Sequence, residues 1–231
     1  MKVQLISYTK PVDNLREHVA DAQALVAYCA RVSNPGNQHN QDTSERLVRY
    51  LIRHQHWSPL EMVSACLEIV TTRDIARQIL RHRSFSFQEF SQRYADPTKE
   101  LNFVTREARL QDSHNRQNST QLDTVNNQEH RELYNEWHRR QLNIIRQARE
   151  DYVWAVQNGI AKEQARVVLP EGLTESRLYM NGTLRSWVHY LGLRSANGTQ
   201  LEHQDIARAC AKVISEIFPI CQDIASVDSA Q

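Results

Sequence analysis

The chain has 231 residues with 28 basic and 27 acidic side chains, a net charge of +1. That length suits one domain with room for an insertion, and the charge balance excludes an acidic tail protein and argues against a globally basic nucleic-acid binder. The basic side is lopsided, with 23 Arg against 5 Lys, and arginine is the residue suited to a bidentate grip on phosphate or carboxylate.

Residues 2–8 predict a strand, and 15–31 a helix with Val19, Ala22, Val26 and Cys29 on one face. Asn34-Pro35-Gly36-Asn37 is a turn, after which a helix from Asp42 or Thr43 to about His54 carries Leu47, Val48 and Leu51 inward. Ser58-Pro59-Leu60-Glu61 has the form of a capping box opening one short turn. Residues 62–72 alternate and are rich in β-branched side chains, a strand pattern, and 73–81 read as a helix with Ile75, Ile79 and Leu80 inside. Residues 84–94 alternate again. If extended, they place Phe85, Phe87, Glu89, Ser91 and Arg93 on one face.

The pattern collapses from 95 to 130, which predicts a polar loop or insertion. A long helix over about 129–157 follows, with Tyr134, Trp137, Ile144, Ile145, Ala148 and Tyr152 inward. Residues 165–170 form a short apolar strand or turn, and helices over 184–193 and 200–218 close the chain. The last helix shows a capping box, Thr199-x-x-Glu202, and a stripe of Ile206, Ala209, Val213 and Ile217. These elements predict a single α+β domain over 1–231, a small mixed sheet flanked by long helices.

Common signatures are missing from the sequence. There is no GxGxxG, no Walker loop, no HExxH and no His-Asp pair. His54-Gln55-His56 is a weak metal candidate, because residues two apart on a helix point apart, so no metal is expected. The four Cys are widely spaced without a CxxC, and no signal peptide or long apolar run is evident, so a reducing, cytoplasmic setting and no membrane partner are expected.

Chemistry concentrates in residues 73–94, which hold Arg73, Arg77, Arg81, Arg83 and Arg93. Gln78 and Arg81 share a helix face, and Glu89, Ser91 and Arg93 follow on the returning strand. Guanidinium forks with one carboxylate and one hydroxyl suit an anionic, hydrogen-bonding ligand such as a nucleotide. The plainer alternative is a solvated basic helix end, which the mixture of Ser, Glu and Arg beside two Phe disfavours. A nucleophile role for Ser91 lacks a base placed by sequence, so a positioning role is preferred.

Arg81-His82-Arg83, seven residues and Ser91 resemble the RHR-x7-S signature of flavin-dependent thymidylate synthases. His56-Trp57-Ser58-Pro59-Leu60-Glu61, Ala165-Arg166-Val167-Val168-Leu169-Pro170 and Leu191-Gly192-Leu193-Arg194 resemble three further segments of that family in order, with Gln200 and Glu202 at the family spacing. Gly198, Thr199 and His189 depart from the residues some members carry there.

The resemblance implies conversion of dUMP to dTMP, with methylenetetrahydrofolate as carbon donor and FAD, reduced by NADPH, as hydride carrier. It also implies a homotetramer with shared active sites. It assigns Gln78, Arg81, Glu89, Phe90, Ser91, Arg93, Arg166 and Arg194 to dUMP, with Arg194 beside the uracil ring as the catalytic residue. Ser58, Arg81, His82, Arg83, Glu89, Thr183, Leu184, Arg185 and His189 are assigned to FAD. Backbone N–H groups at Asn181-Gly182-Thr183, opening the 184–193 helix, are expected to suit an anion. On the plainer view both Asn181-Gly182-Thr183 and Asn197-Gly198-Thr199 cap the helices that follow them, which is compatible with ligand contact. The competing class is a non-catalytic nucleotide or nucleic-acid binding module built on the Arg block. A metal-dependent nucleotide hydrolase would need ligands the sequence does not offer.

Overall fold

The structure, a computed structural model, describes residues 1–226. Lys2–Tyr8 forms β1, and Ala22–Ala30 forms α1. That helix starts later than its periodicity predicts, because the Asp21 carboxylate accepts from the Ala24 N–H at 2.7 Å and caps it there. Ser44–Arg53 is α2, with Val48 and Leu51 buried as expected. Ser58–Met62 is a single 3-10 turn started by its proline, but no capping box closes, because Glu61 is engaged by Arg185 at 2.7 Å.

Ser64–Thr72 is β2, Arg73–Ile79 is α3 and Ser86–Glu89 is β3. Pro97–Glu100 is α4, Arg109–Gln111 is β4, Ser119–Gln121 is β5 and Gln128–Gln157 is α5. Lys162–Ala165 is α6 and Glu175–Thr183 is β6. Leu184–Ser195 is α7, Leu201–Ile214 is α8 and Ile220–Ser226 is α9. The main sheet has four strands in the order β1-β2-β6-β3, and β4 pairs antiparallel with β5. The class is α+β, as the sequence predicts. No described helix is long and apolar enough to cross a membrane.

The chain divides into two compact units. The first comprises Met1–Ile69, His82–Gln88 and the described residues from Tyr179 to Ser226. Here α7, α8 and α9 pack on one another, α8 also meets β1, and α1 packs on α2. Trp187 is fully buried and donates its indole N–H to the Ala65 carbonyl at 3.1 Å. Gly182 is required by packing: a Cβ there would stand 2.4 Å from the Phe85 ring. The second unit comprises Val70–Arg81 and Glu89–Leu178. Its core includes Tyr152, Ala155, Ala165 and Leu169, with Phe103 and Val156 against them.

Several sequence expectations shift by a face or a residue. β3 ends at Glu89, and the Ser91 carbonyl accepts from both the Tyr94 and Ala95 N–H groups at 3.1 Å, so the chain turns. Glu89, Ser91 and Arg93 therefore do not line one strand face. On α5 the buried residues are Gln141, Ala148, Tyr152 and Ala155, whereas Trp137 and Ile144 are 44% and 47% exposed. On α8 the buried side is His203, Ile206, Cys210 and Ile214, a stripe turned by one position. Its N-cap is Gln200, and Thr199 instead donates to the Leu193 carbonyl at 3.4 Å, so neither the expected box nor the Asn197-Gly198-Thr199 cap forms.

The 95–130 stretch is anchored as well as polar. Gln141, 1% exposed, bonds both backbone groups of Arg106: its Oε1 accepts at 2.7 Å and its Nε2 donates at 2.9 Å. The Arg106 guanidinium reaches Asp74 and Thr72 at 2.6 Å each.

Candidate functional site

In the second unit, α3 presents Arg73 and Arg77 one turn apart, and the loop after β3 folds back toward α6. Between them lies a cavity of about 410 Å³ lined by Arg73, Arg77, Gln92, Glu163, Arg166 and Glu171. Glu89 sets its electrostatics. It accepts from Ser176 Oγ at 2.7 Å and stands 3.7 Å from Arg73 and 3.8 Å from Arg77. Arg73 is 7% exposed, and burial pulls its pKa down while Glu89 opposes the shift. Gln92 is 4% exposed and its Nε2 has no hydrogen-bond partner among the described residues. A buried, unsatisfied donor is costly unless a ligand meets it. Three guanidinium groups and a spare amide donor around one void suit an oxyanion.

Of the residues assigned to the nucleotide from sequence, Arg166 lines this cavity. Gln78 is half-buried on α3, and Arg81 is exposed just past it. Phe90 donates its backbone N–H to the Arg177 carbonyl at 2.8 Å, and Ser91 Oγ accepts from the Arg93 N–H at 3.3 Å. Arg93 pairs with Glu163 at 3.4 Å. Arg81 and Arg166 have no carboxylate partner among the described residues. Sequence reasoning placed Arg73 and Arg77 in the arginine block without assigning them to the nucleotide, and it missed Gln92, Glu163 and Glu171 as cavity walls. The i, i+4 spacing of Arg73 and Arg77 was the available signal.

The first unit holds most of the other set. Arg194, on the last turn of α7, donates from Nε to His82 Nε2 at 2.9 Å. Burial, and next the nearby Arg194 charge, push His82 down to about 4. The His82 ring stands edge-on to Tyr190, centroids 4.9 Å apart. Arg185 pairs with Glu61 at 2.7 Å, and this contact, followed by Thr183, holds the Glu61 carboxyl below its usual range. His189 is exposed and tilts on Trp57 at 4.4 Å, and its own pKa is lowered by partial burial and Arg185. Ser58 and Arg83 are exposed, and Arg83 has no carboxylate partner among the described residues.

The start of α7 is not the open anion nest expected from sequence. Asn181-Gly182-Thr183 ends β6, Thr183 Oγ1 accepts from the Ser186 N–H at 3.4 Å, and the buried Leu184 donates its N–H to Val63 at 2.9 Å. Among the described residues no cluster of His, Cys, Asp or Glu could hold a metal ion.

An α+β chain with a guanidinium-lined polar cavity has the chemistry to hold an anionic, hydrogen-bonding ligand. Comparison with known proteins narrows that class. Residues 14–220 match the family model described as thymidylate synthase complementing protein. The chain is 48% identical over 219 residues to a probable flavin-dependent thymidylate synthase of Paramecium bursaria Chlorella virus 1, covering 95% of this chain and 96% of that one. It is 46% identical over 220 residues to a flavin-dependent thymidylate synthase of Synechocystis, covering 95% and 96%. A crystal structure of a UMP/dUMP methylase from Streptomyces cacaoi, bound with 5-Br dUMP, shares the fold with a TM-score of 0.74 at 24% identity, covering 96% of this chain and 93% of that one. The chain belongs to the thymidylate synthase complementing protein family, that of the flavin-dependent thymidylate synthases.

Proposed function

We infer that this chain is a flavin-dependent thymidylate synthase that reductively methylates dUMP to dTMP. The observation that carries the reading is the family match over residues 14–220, and the cavity of about 410 Å³ supports it with its guanidinium walls and orphaned amide. dUMP brings a dianionic phosphate and a uracil whose N3 must be polarised or ionised. Arg166, with Arg73 and Arg77, offers the phosphate charge-assisted donors. Gln78, Arg81, Glu89, Phe90, Ser91 and Arg93 complete the nucleotide set, with Ser91 in a positioning role.

Arg194 serves the uracil ring. A guanidinium there stabilises negative charge on N3 and O2 and makes C5 the nucleophile. When bound, the flavin supplies the reducing hydride. Ser58, Arg81, His82, Arg83, Glu89, Thr183, Leu184, Arg185 and His189 would hold it, Leu184 by packing only because its N–H is donated to Val63. The chemistry fits a flavin dinucleotide: Arg83, exposed without a carboxylate partner among the described residues, suits its pyrophosphate, and the Trp57–His189 pair offers aromatic faces to its rings. Methylenetetrahydrofolate is the one-carbon donor and NADPH the reductant in this reading.

A homotetramer with sites shared between subunits is part of the same proposal. Leu133, Trp137 and Ile144, exposed at i, i+4 and i+11 on α5, support it. Sedimentation giving a fully active monomer would remove that part. A cytoplasmic setting fits the free thiols. A polynucleotide-binding module is disfavoured because Glu89, Glu163 and Glu171 stand among the arginines. The test is dTMP formation by purified protein given dUMP, methylenetetrahydrofolate, FAD and NADPH. A colourless protein that makes no dTMP overturns the reading.

A further inference from the structure

Behind Arg194 lies a buried polar pair that the proposed chemistry does not use. Tyr190 and His203 are 1% and 0% exposed, and a hydrogen bond of 3.2 Å joins Tyr190 Oη to His203 Nε2. Burying a phenol and an imidazole carries a desolvation cost that their mutual hydrogen bond offsets, so the pair is a fixed polar feature inside the core.

Their neighbours give the pair a role. Tyr190 and Arg194 sit one turn apart on α7, on one side of the helix. Both touch His82: the Tyr190 ring stands edge-on to the imidazole at 4.9 Å and 83°, and Arg194 Nε donates to its Nε2 at 2.9 Å. His203 reaches the same group from α8, 6.4 Å from His82 by ring centroids. For His82 Nε2 to accept from a guanidinium, the ring must be neutral with its proton on Nδ1. The Tyr190 ring restricts how that imidazole can turn, and the hydrogen bond to His203 restricts the Tyr190 ring.

We propose that Tyr190 and His203 are positioning residues for Arg194, acting through His82: their hydrogen bond fixes the surface on which His82 packs, and His82 fixes the plane of the guanidinium. The proposal rests on the reading above that Arg194 serves the uracil of dUMP. A long flexible side chain becomes a preorganised electrostatic group when its supports are themselves packed and hydrogen-bonded.

The test uses Tyr190→Phe in the full-length, flavin-loaded protein, since this change keeps the ring and deletes only the hydroxyl. Turnover of dUMP is expected to fall about tenfold, with the dUMP KM and flavin content within about twofold of the parent. In an Arg194→Ala background the same change should cost nothing further, which a general structural role would not produce. His203→Gln keeps an acceptor for the phenol and should hold turnover within about threefold of the parent. A second readout needs no turnover: 15N spectra of labelled histidines should show His82 protonated on Nδ1 in the parent and a mixture of tautomers in Tyr190→Phe. Equal losses with and without Arg194, or unchanged turnover, overturn the proposal. If the parent makes no dTMP, the functional reading fails by itself. The His82 spectra then decide alone: a tautomer shift supports the positioning role and an unchanged tautomer overturns it.

Discussion

The 2.9 Å hydrogen bond from Arg194 Nε to His82 Nε2 ties the charge states of two residues together. An imidazolium at His82 would have no lone pair to offer and would face a guanidinium, so the contact exists only while His82 is neutral. Burial and the Arg194 charge hold His82 down at about 4, and burial, followed by Arg194 and His82, holds His203 at about 3.

These depressed values predict the acid limb of stability. Free histidine titrates near pH 6.5, so below that value the unfolded chain binds protons that the folded chain refuses. Stability therefore rises with pH in this range. The contribution is complete above about pH 6.5 and is lost progressively as pH falls toward about 4 for His82 and about 3 for His203. Urea midpoints measured between about pH 7 and about pH 4.5 should fall steadily, and His203→Gln should show a shallower fall by one titrating group. Parallel slopes for the parent and His203→Gln would mean that His203 is not held neutral by the fold.

Arg194 itself gives a second expectation. Arg194→Ala should lower turnover by about a hundredfold or more, the scale of about 3 kcal/mol seen when a preorganised charge-stabilising donor is removed, while flavin absorbance is largely kept. Arg194→Lys should also be poor. A point ammonium reproduces neither the planar fork nor the Nε–H that His82 receives. Equal losses of flavin and turnover would place Arg194 in flavin binding or in the fold instead.

What the sequence discloses of this fold follows from where its forces are periodic. β1, α2, β2 and α3 are legible because each alternates or repeats an apolar face, and α5 because it runs from Gln128 to Gln157. The buried side of α5 is less legible, because Trp137 and Ile144 continue its apolar stripe yet stay exposed. β6 is faint: its inward positions are Ser176, Leu178, Met180 and Gly182, so half of the alternation is not apolar. The segment over 95–130 escapes any hydrophobic count, because Gln141 secures it through the backbone of Arg106. Within the candidate site, the Arg block is plain in the sequence. That Gln92 is buried with an unmet donor is a property of the cavity alone.

Gln92 offers a trade between stability and binding. If its Nε2 waits for a ligand oxygen, Gln92→Leu removes an unsatisfied buried donor from the free protein, a group whose burial costs about 1–3 kcal/mol. The ligand-free variant should then unfold at an equal or higher temperature than the parent. Its dUMP affinity should drop by about tenfold, read by titration calorimetry at fixed salt. A less stable variant with unchanged dUMP affinity would mean that Gln92 serves packing and not the nucleotide.

The last expectation separates this route to dTMP from one that attacks C6 of dUMP with a cysteine thiolate. Such a nucleophile needs a lowered pKa in an electropositive, accessible setting. All four cysteines here are free, and burial raises every one: Cys29 and Cys66 above the ordinary thiol, Cys221 to about 12 and Cys210 further still. Cys210 and Cys221 are fully buried, and none of the four lines the cavity of Arg73, Arg77 and Arg166. Thiols in such places act as small hydrophobes. In the proposed reading a bound flavin would supply the reducing hydride, so the enzyme would need no covalent nucleophile. A variant with Cys29 and Cys66 changed to Ser and Cys210 and Cys221 to Ala should keep dTMP formation within about tenfold, a factor worth about 1.4 kcal/mol of barrier. Thermal melts and flavin absorbance recorded alongside distinguish a packing defect from a chemical one. Abolition of turnover by a single Cys replacement, with flavin content and assembly intact, would show that a thiolate takes part in the chemistry after all.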